Sequence, residues 1–373
     1  MSARLELEAI EVHAEGEPGR VITSSADLVR GDTMAERFAY CRSQLDGLRQ
    51  LILHEPRGYP GLCAVFILPA VNAGSDFGMI VLEQAGFTPM SGSNTMCAVT
   101  AMLDSGRVPM VEPLTTVRID TAIGVVEAVA AVCDGKVLSV TVINVPAFVV
   151  GLDVPLVVPE LGTVPVDVVF GGQFFVQARA ADLGLNLDPD RGRELVRAGA
   201  LLKLAALAQL DLRHPVNPAI NAVNLIMLHS GDRVPGQQDR NTVVMSNGVL
   251  RADDPTTWTG VLDRSPCGTG TCARMAALYA RGQLAIGEKF SHRSIIGSEF
   301  VGELTGTTTI GPYAAVLPII TGSAWVTGHS RWLLDETDPF PAGYTVGDIW
   351  GPKTHRPGPA HPSQPAPSRG EAP

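Results

Sequence analysis

The amino-acid sequence predicts an α+β protein built from two similar domains, each presenting one reactive side chain at the start of a helix. Three observations carry that prediction. The chain has 373 residues, beyond the size at which a single hydrophobic core usually keeps growing. Most of its periodic segments alternate with the period of strands, and few carry the period of helices. There is also an internal echo: residues 91–101 read SGSNTMCAVTA and residues 267–277 read CGTGTCARMAA. Aligned without gaps, Ser91 meets Cys267, Gly92 meets Gly268, Ser93 meets Thr269 and Thr95 meets Thr271. A spacing of 176 residues is that of a duplicated domain, far longer than a solenoid repeat.

The elements follow in order. Residues 4–12 and 20–29 read as strands around the turn-rich HAEGEPG. Residues 33–53 carry helical periodicity, with Thr33 placed as an N-cap. Strand-like runs follow at 62–69 and 78–83, and the first echo segment opens a helix that ends near Gly106. Residues 114–148 alternate as antiparallel strands, with CDGK at 133–136 as a hairpin turn. The Pro- and Gly-rich stretch 152–165 reads as a boundary, and VDVVFGGQFFVQA after it is a second strand–glycine–strand entry. A helix is expected at about 190–210, strands at 221–230 and 241–250, and the second echo helix up to about Gly282. The resulting division is a first domain of 1–165 plus about 335–351 and a second of 166–334. Seven of the 22 residues in 352–373 are proline, which reads as a disordered tail.

Composition narrows the function classes. The formal net charge is −10 and the pI about 5.3, so a polyanionic partner such as nucleic acid or an anionic membrane is not expected. No apolar run is long enough to span a bilayer, and the opening MSARLELEAIEV lacks the apolar core of a signal peptide. The six cysteines are scattered through a long chain and read as reduced thiols of a cytoplasmic protein. The histidines show no ligand spacing, so no metal is expected. Gly268-Thr-Gly-Thr-Cys-Ala273 matches a loose dinucleotide pattern but follows polar DRSP, where a buried strand would be required.

The two echo segments suggest a chemistry. A helix N-terminus offers unpaired N–H groups and the positive end of the macrodipole. Two such ends facing one cleft make a cradle for a carboxylate. The same field is expected to lower the pKa of Cys267 and give it thiolate character near neutral pH. A thiolate on one face of a bound amino acid can remove the α-proton while the N–H groups hold the charge that develops on the carboxylate. No cofactor is needed for that step.

These residues carry a resemblance. M90-S-G-S-N-T, D263-R-S-P-C-G-T-G and H13-A-E-G-E-P-G-R-V look like the proline racemase family, as do E55-P-R-G, F170-G-G-Q-F-F, I296-G-S-E-F and I320-T-G-S-A-W. The resemblance covers nearly all of residues 5–350. It implies two domains of the diaminopimelate-epimerase type, each a helix wrapped by strands, with the site in the cleft between them. It implies Cys267 and Ser91 as the catalytic pair, and Gly92, Ser93, Gly268 and Thr269 as substrate-binding residues. Asp263 is implied as the partner of the substrate's ring ammonium. Family members act on proline or hydroxyprolines as racemases, 2-epimerases or 3-hydroxyproline dehydratases. In the racemases and many epimerases both catalytic positions are cysteine, the first followed by Gly-His.

Here the first position is Ser91, followed by Gly92-Ser93. A serine hydroxyl is a far weaker acid than a thiol, so dehydration of trans-3-hydroxy-L-proline is the leading expectation. Epimerisation of 4-hydroxyproline or racemisation of proline is the alternative, and a non-catalytic amino-acid binding protein is the alternative of another class. Bland readings stand beside the sharp ones: Ser91 as a simple N-cap, Asp263 as a turn residue, and Cys97 and Cys272 as packing residues. The expected partner is a small molecule, with a homodimer left open.

Overall fold

Two helices without a polar face organise the molecule, and strands enclose both. The computed structural model describes residues 5–217, 220–233, 238–335, 337–347 and 349–350. The first run comprises β1 (Leu5–Ala14), β2 (Glu17–Ile22), α1 (Met34–Gln44), α2 (Asp46–Leu53), β3 (Cys63–Leu68), β4 (Phe77–Glu83) and β5 (Gly86–Thr88). It continues with α3 (Gly92–Asp104), β6 (Leu114–Thr121), β7 (Gly124–Cys133) and β8 (Lys136–Ile143). The second run comprises β9 (Ala147–Val158), β10 (Gly162–Phe170), β11 (Phe174–Arg179), α4 (Gly192–Gln209), β12 (Val223–His229), β13 (Asp239–Ser246) and β14 (Gly260–Leu262). It closes with α5 (Gly268–Ala280), β15 (Lys289–Arg293), β16 (Glu299–Ile310), β17 (Tyr313–Gly322) and β18 (Ala324–Leu334).

The duplication read from the echo extends to the strand pairings. β1–β2–β3–β4–β5 are joined antiparallel, parallel, antiparallel and antiparallel, and β10–β11–β12–β13–β14 repeat that pattern. β4 then pairs parallel with β6, as β13 does with β15, and each leads into an antiparallel meander, β6–β7–β8 or β15–β16–β17. The last strand of each set is exchanged. β9, which follows β8, pairs with β10, while β18, which follows β17, returns to pair with β1. The equivalent strands β8 and β17 pair with each other and join the halves. The protein is thus α+β, two similar units of the epimerase type.

Helices α3 and α5 are each 13 residues long, and nearly every residue of both is buried. Small and apolar side chains run round their whole circumference, which lets a helix be enclosed. Both end the same way. Gly106 and Gly282 follow the caps at φ +69 and +70, the left-handed closing position that glycine takes without steric cost. One core cluster surrounds both helices. Outer clusters lie beneath α1 and α2, around Phe66 and Leu53, and beneath α4, around Phe148, Phe170 and Phe174.

Several segments differ from the sequence reading. Residues 33–53 form two helices, because Leu45 leaves the helical region (φ −111, ψ 14) between α1 and α2. The strand expected at 20–29 stops at Ile22; Ser25 turns inward and its hydroxyl donates to the Ile67 carbonyl at 2.8 Å. The boundary-like stretch 152–165 is instead the β9–β10 hairpin, with Pro155 opposite Pro165. Two opposed prolines fit a ladder at a non-hydrogen-bonded pair, where neither needs an N–H. The CDGK turn does join β7 to β8. Asp338 and Trp350 reach the first run: Asp338 pairs with Arg57 at 3.2 Å, and the Trp350 indole donates to Glu55 at 2.7 Å. The proline-rich segment 352–373 lies outside the described residues.

Thr33 does cap α1. Its side chain accepts from the Glu36 N–H, and the Glu36 carboxylate accepts from the Thr33 N–H, a reciprocal box. Thr33→Ala is expected to lower the urea midpoint at unchanged m value, by about 1 kcal/mol of stability, and to leave turnover as it was.

Candidate active site

The starts of α3 and α5 abut. A Cβ placed on Gly92 would stand 3.0 Å from Gly268 Cα. One placed on Gly268 would stand 2.9 Å from Gly92 Cα and 2.8 Å from Ile320 Cδ1. Only glycine permits that approach at either position. The residues just before these glycines are Ser91 and Cys267, the two N-caps. The structure therefore brings the two candidate catalytic residues to one place. It also brings there the first turns that contain Ser93 and Thr269, both buried. The leading N–H groups of both helices lack helical partners, and both dipoles point their positive ends at this spot. That is a cradle for an anion.

The two caps differ in backbone and in surroundings. Ser91 is extended (φ −148, ψ 131). Its side chain makes no capping bond, so the simple N-cap reading does not hold; its hydroxyl accepts from the Asn94 amide at 3.0 Å. Cys267 has φ +59 and ψ 116, a conformation that costs a residue with a Cβ about 1–3 kcal/mol. Its N–H donates to the Ser265 hydroxyl at 3.1 Å, and its sulfur lies 3.9 Å from the Thr269 hydroxyl.

Asp263 is buried beside them, accepting from the Ser265 N–H and hydroxyl, each at 2.8 Å. Its charge acts on two neighbouring groups, raising both the Cys267 thiol and the Glu17 carboxyl. Glu17, at the start of β2, comes from the other half and is 3% exposed. It accepts from the Arg264 N–H at 2.8 Å, and the Cys63 thiol points to it at 4.0 Å. Burial raises both carboxyls, and their proximity raises Glu17 well above the usual carboxylate range. Two carboxyls in contact cannot both ionise cheaply. Asp263 has the larger donor set and carries the charge, while Glu17 keeps the proton.

The expected thiolate is not what the surroundings produce. Burial pushes the Cys267 thiol well above its ordinary value, and the Asp263 charge adds to that. The Gly270 N–H and the Thr269 hydroxyl pull the other way without prevailing. Burial and the Asp263 charge together favour the neutral thiol at Cys267.

A cleft of about 600 Å³ runs between the halves, with Cys63, Glu83 and Thr88 on one wall and Gly172, Lys203 and Met245 on the other. Two of its lining residues adjoin the site: Cys63 contacts Glu17, and a Cβ placed on Gly172 would stand 3.0 Å from Thr269 Cγ2. Ser91 and Cys267 do not line it. Among the described residues no group of three His, Cys, Asp or Glu side chains could hold a metal ion, and no helix is long and apolar enough to cross a membrane.

Sequence reasoning missed Glu17, Cys63 and Asn94. Glu17 lies within HAEGEPGR, a segment noticed only as part of a resemblance, since one glutamate between Gly and Pro has no local reading. Asn94 faces Gly270 in the echo, and that mismatch was the available signal.

The fold is a duplicated α+β unit, with two helix starts meeting between its halves. A phenazine biosynthesis protein of the PhzF family from Bacillus anthracis shares that fold at TM-score 0.55 and 12% identity, over 88% of this chain and all of the other. The family model for proline racemase matches residues 9–345. A 4-hydroxyproline 2-epimerase of Streptosporangium roseum is 38% identical over 91% of this chain and 98% of its own. A proline racemase of Clostridioides difficile is 35% identical over the same shares. The crystal structure of a hydroxyproline epimerase from Agrobacterium vitis, with bound trans-4-hydroxy-L-proline, matches at TM-score 0.83 and 37% identity, over 92% of this chain and 97% of that one. The chain belongs to the proline racemase family.

Two outcomes are expected. In the free enzyme, alkylation of Cys267 by iodoacetamide, followed by peptide mass spectrometry, should be slow at neutral pH. It should keep rising past pH ~8.5, the ordinary thiol value; a plateau below that pH would overturn the neutral-thiol assignment. Gly268→Ala should lower stability by about 1–3 kcal/mol through overpacking, seen in urea unfolding, and reduce turnover because the helix ends must separate.

Proposed function

We propose that this chain removes the α-proton of proline or a hydroxyproline without a cofactor and inverts C2, acting as a 4-hydroxyproline 2-epimerase. The observation that carries the reading is the contact of Gly92 with Gly268, which sets Ser91 and Cys267 on either side of one anion cradle. The substrate carboxylate would lie on the N–H groups of the two first turns, with Ser93 and Thr269 beside it. The ring ammonium would meet Asp263. Its positive charge would offset the carboxylate that holds Cys267 neutral, so binding would lower the cost of forming the thiolate. The thiolate takes the α-proton, and the electron pair moves onto the carboxylate as an enolate held by the N–H groups. Return of a proton from the Ser91 side completes the inversion. The epimerase and racemase relatives support this order of readings.

One observation favours a second reading. Ser91 stands where a second thiol would act, and its hydroxyl is a weak acid held by the Asn94 amide and the Ser93 hydroxyl. With a 3-hydroxyl on the substrate, the same carbanion can expel that group as water once it is protonated. The product is a pyrroline-2-carboxylate, and no proton need return to C2. Dehydration of trans-3-hydroxy-L-proline therefore needs only one strong base.

The test is a panel of proline and of 3- and 4-hydroxyprolines in D₂O, with deuterium entry at C2 and ketimine formation followed together. Cys267→Ala should lose exchange and turnover by at least about 100-fold; near-wild-type turnover would overturn the mechanism. Ser91→Cys should raise epimerisation, and Ser91→Ala should abolish it while sparing any dehydration. Ketimine formation faster than epimerisation would favour the second reading. Tight binding of pyrrole-2-carboxylate with no exchange on any substrate would make the chain a binding protein.

A further inference from the structure

The polar groups beneath α5 have no counterpart beneath α3. α5 rests on Asp239 and Asn241 of β13 and His292 of β15, and contributes Thr271 and Arg274 itself; all five are buried. The pairings Asp239↔His292 and Phe77↔Ile119 set the two halves in register. The matching positions in the first half are therefore Phe77, Met79 and Ile119, and the echo sets Ala98 against Arg274. All four are apolar and buried. A buried ionic group is often no more stabilising than apolar packing of the same volume, so the cluster calls for another reason.

Its hydrogen bonds converge on one atom. The carbonyl oxygen of Pro266, the residue before Cys267, accepts from Asn241 Nδ2 at 3.0 Å and from Thr271 Oγ1 at 3.1 Å. His292 joins the two donors: its Nδ1 lies 2.9 Å from Thr271 Oγ1, and its Nε2 lies 2.9 Å from Asn241 Nδ2. With both partners donating to Pro266, one assignment closes the ring. Nδ1–H donates to Thr271, and Nε2 accepts from Asn241. That requires a neutral imidazole, and burial does hold His292 down to about 4 against the pull of Asp239. Asp239 itself is bound to Arg274 at 3.2 Å, and Arg274 also donates to the Gly231 carbonyl.

The matching threonine behaves differently. Thr95 Oγ1 donates to the Ser91 carbonyl at 2.7 Å, four residues back, as in a regular helix. Thr271 reaches five residues back, to Pro266. The shift accompanies the change in cap backbone from φ −148 at Ser91 to φ +59 at Cys267. Strain and polar cluster occur together, on the thiol side alone.

We propose that Asn241, Thr271 and His292 are positioning residues that clamp the Pro266–Cys267 peptide, holding the strained backbone and thereby aiming the Cys267 thiol at the substrate's α-carbon. This rests on Cys267 being the base proposed above. The serine side needs no clamp, because its backbone is relaxed and Asn94 orients its hydroxyl.

The experiment compares Thr271→Val, which keeps the shape but removes the donor, with Thr271→Ser, which keeps the donor, and with Cys267→Ala. Thr271→Val should lower kcat about 10- to 100-fold through misplacement of the thiol, with KM nearly unchanged because the carboxylate cradle is untouched. It should also alter the alkylation rate of Cys267, and Thr271→Ser should restore both. Should Thr271→Val fold poorly, Asn241→Leu removes the other donor and is expected to lower kcat in the same direction at unchanged KM. Wild-type kcat in the folded donor-less variant, with Cys267→Ala inactive, would overturn the clamp and leave the role of Cys267 intact. Full activity of Cys267→Ala would overturn both. Loss of melting temperature with kcat unchanged would make the cluster purely structural and defeat the proposal.

Discussion

The site depends on two helix ends being pressed together. Each N-terminus behaves as roughly half a positive charge, and like ends in a poorly screened interior repel. α3 and α5 nevertheless meet at Gly92 and Gly268 because both are buried almost throughout and one core cluster takes in both. The favourable burial of two whole helices outweighs the local repulsion. What is left is a place that favours negative charge, and an amino-acid carboxylate fits it. Substitution of either glycine attacks this arrangement at its narrowest point.

Asp263 controls the charge of what surrounds that point. It comes from the second half, yet its charge raises the Glu17 carboxyl of the first as well as the Cys267 thiol. Burial raises all three acidic groups above their ordinary values. A cationic amine brought to Asp263 changes the balance for all three at once. Under the proposed function, recognition of the ring nitrogen and activation of the thiol would be parts of one electrostatic event.

Much of this was legible in the sequence, and the rest was hidden for physical reasons. Ser91 and Cys267 announced themselves because a helix start is a local event: a small polar residue or cysteine, then Gly and Thr, then an apolar run. Thr33 and the CDGK turn were legible for the same reason. The exchange of β9 and β18 was not, since pairing over most of the chain leaves no local mark. Residues 152–165 misled because proline and glycine usually end strands, whereas Pro155 and Pro165 excuse one another by standing opposite. The ionisation of Cys267 had the wrong sign in the sequence reading. Helix geometry can be read from composition, but burial and an acid from four residues away cannot be weighed there. Asp239 and Asn241 lie in one strand and His292 in another some 50 residues on, and nothing in the chain shows that they converge.

The strand exchange bears on how the chain is made. Leu5 of β1 lies opposite Leu334 of β18, so the first strand to leave the ribosome must wait for nearly the last. Until then one edge of β1 offers unpaired backbone groups to any passing strand, and closing so long a loop is a slow entropic step. The charged residues Glu6, Glu8 and Glu11 along β1 suit that interval, because like charges discourage edge-to-edge association of nascent chains. The first half cannot finish before the second is synthesised, and the second takes its own opening strand from the end of the first. The sheet of the first half therefore closes only when β18 is in place.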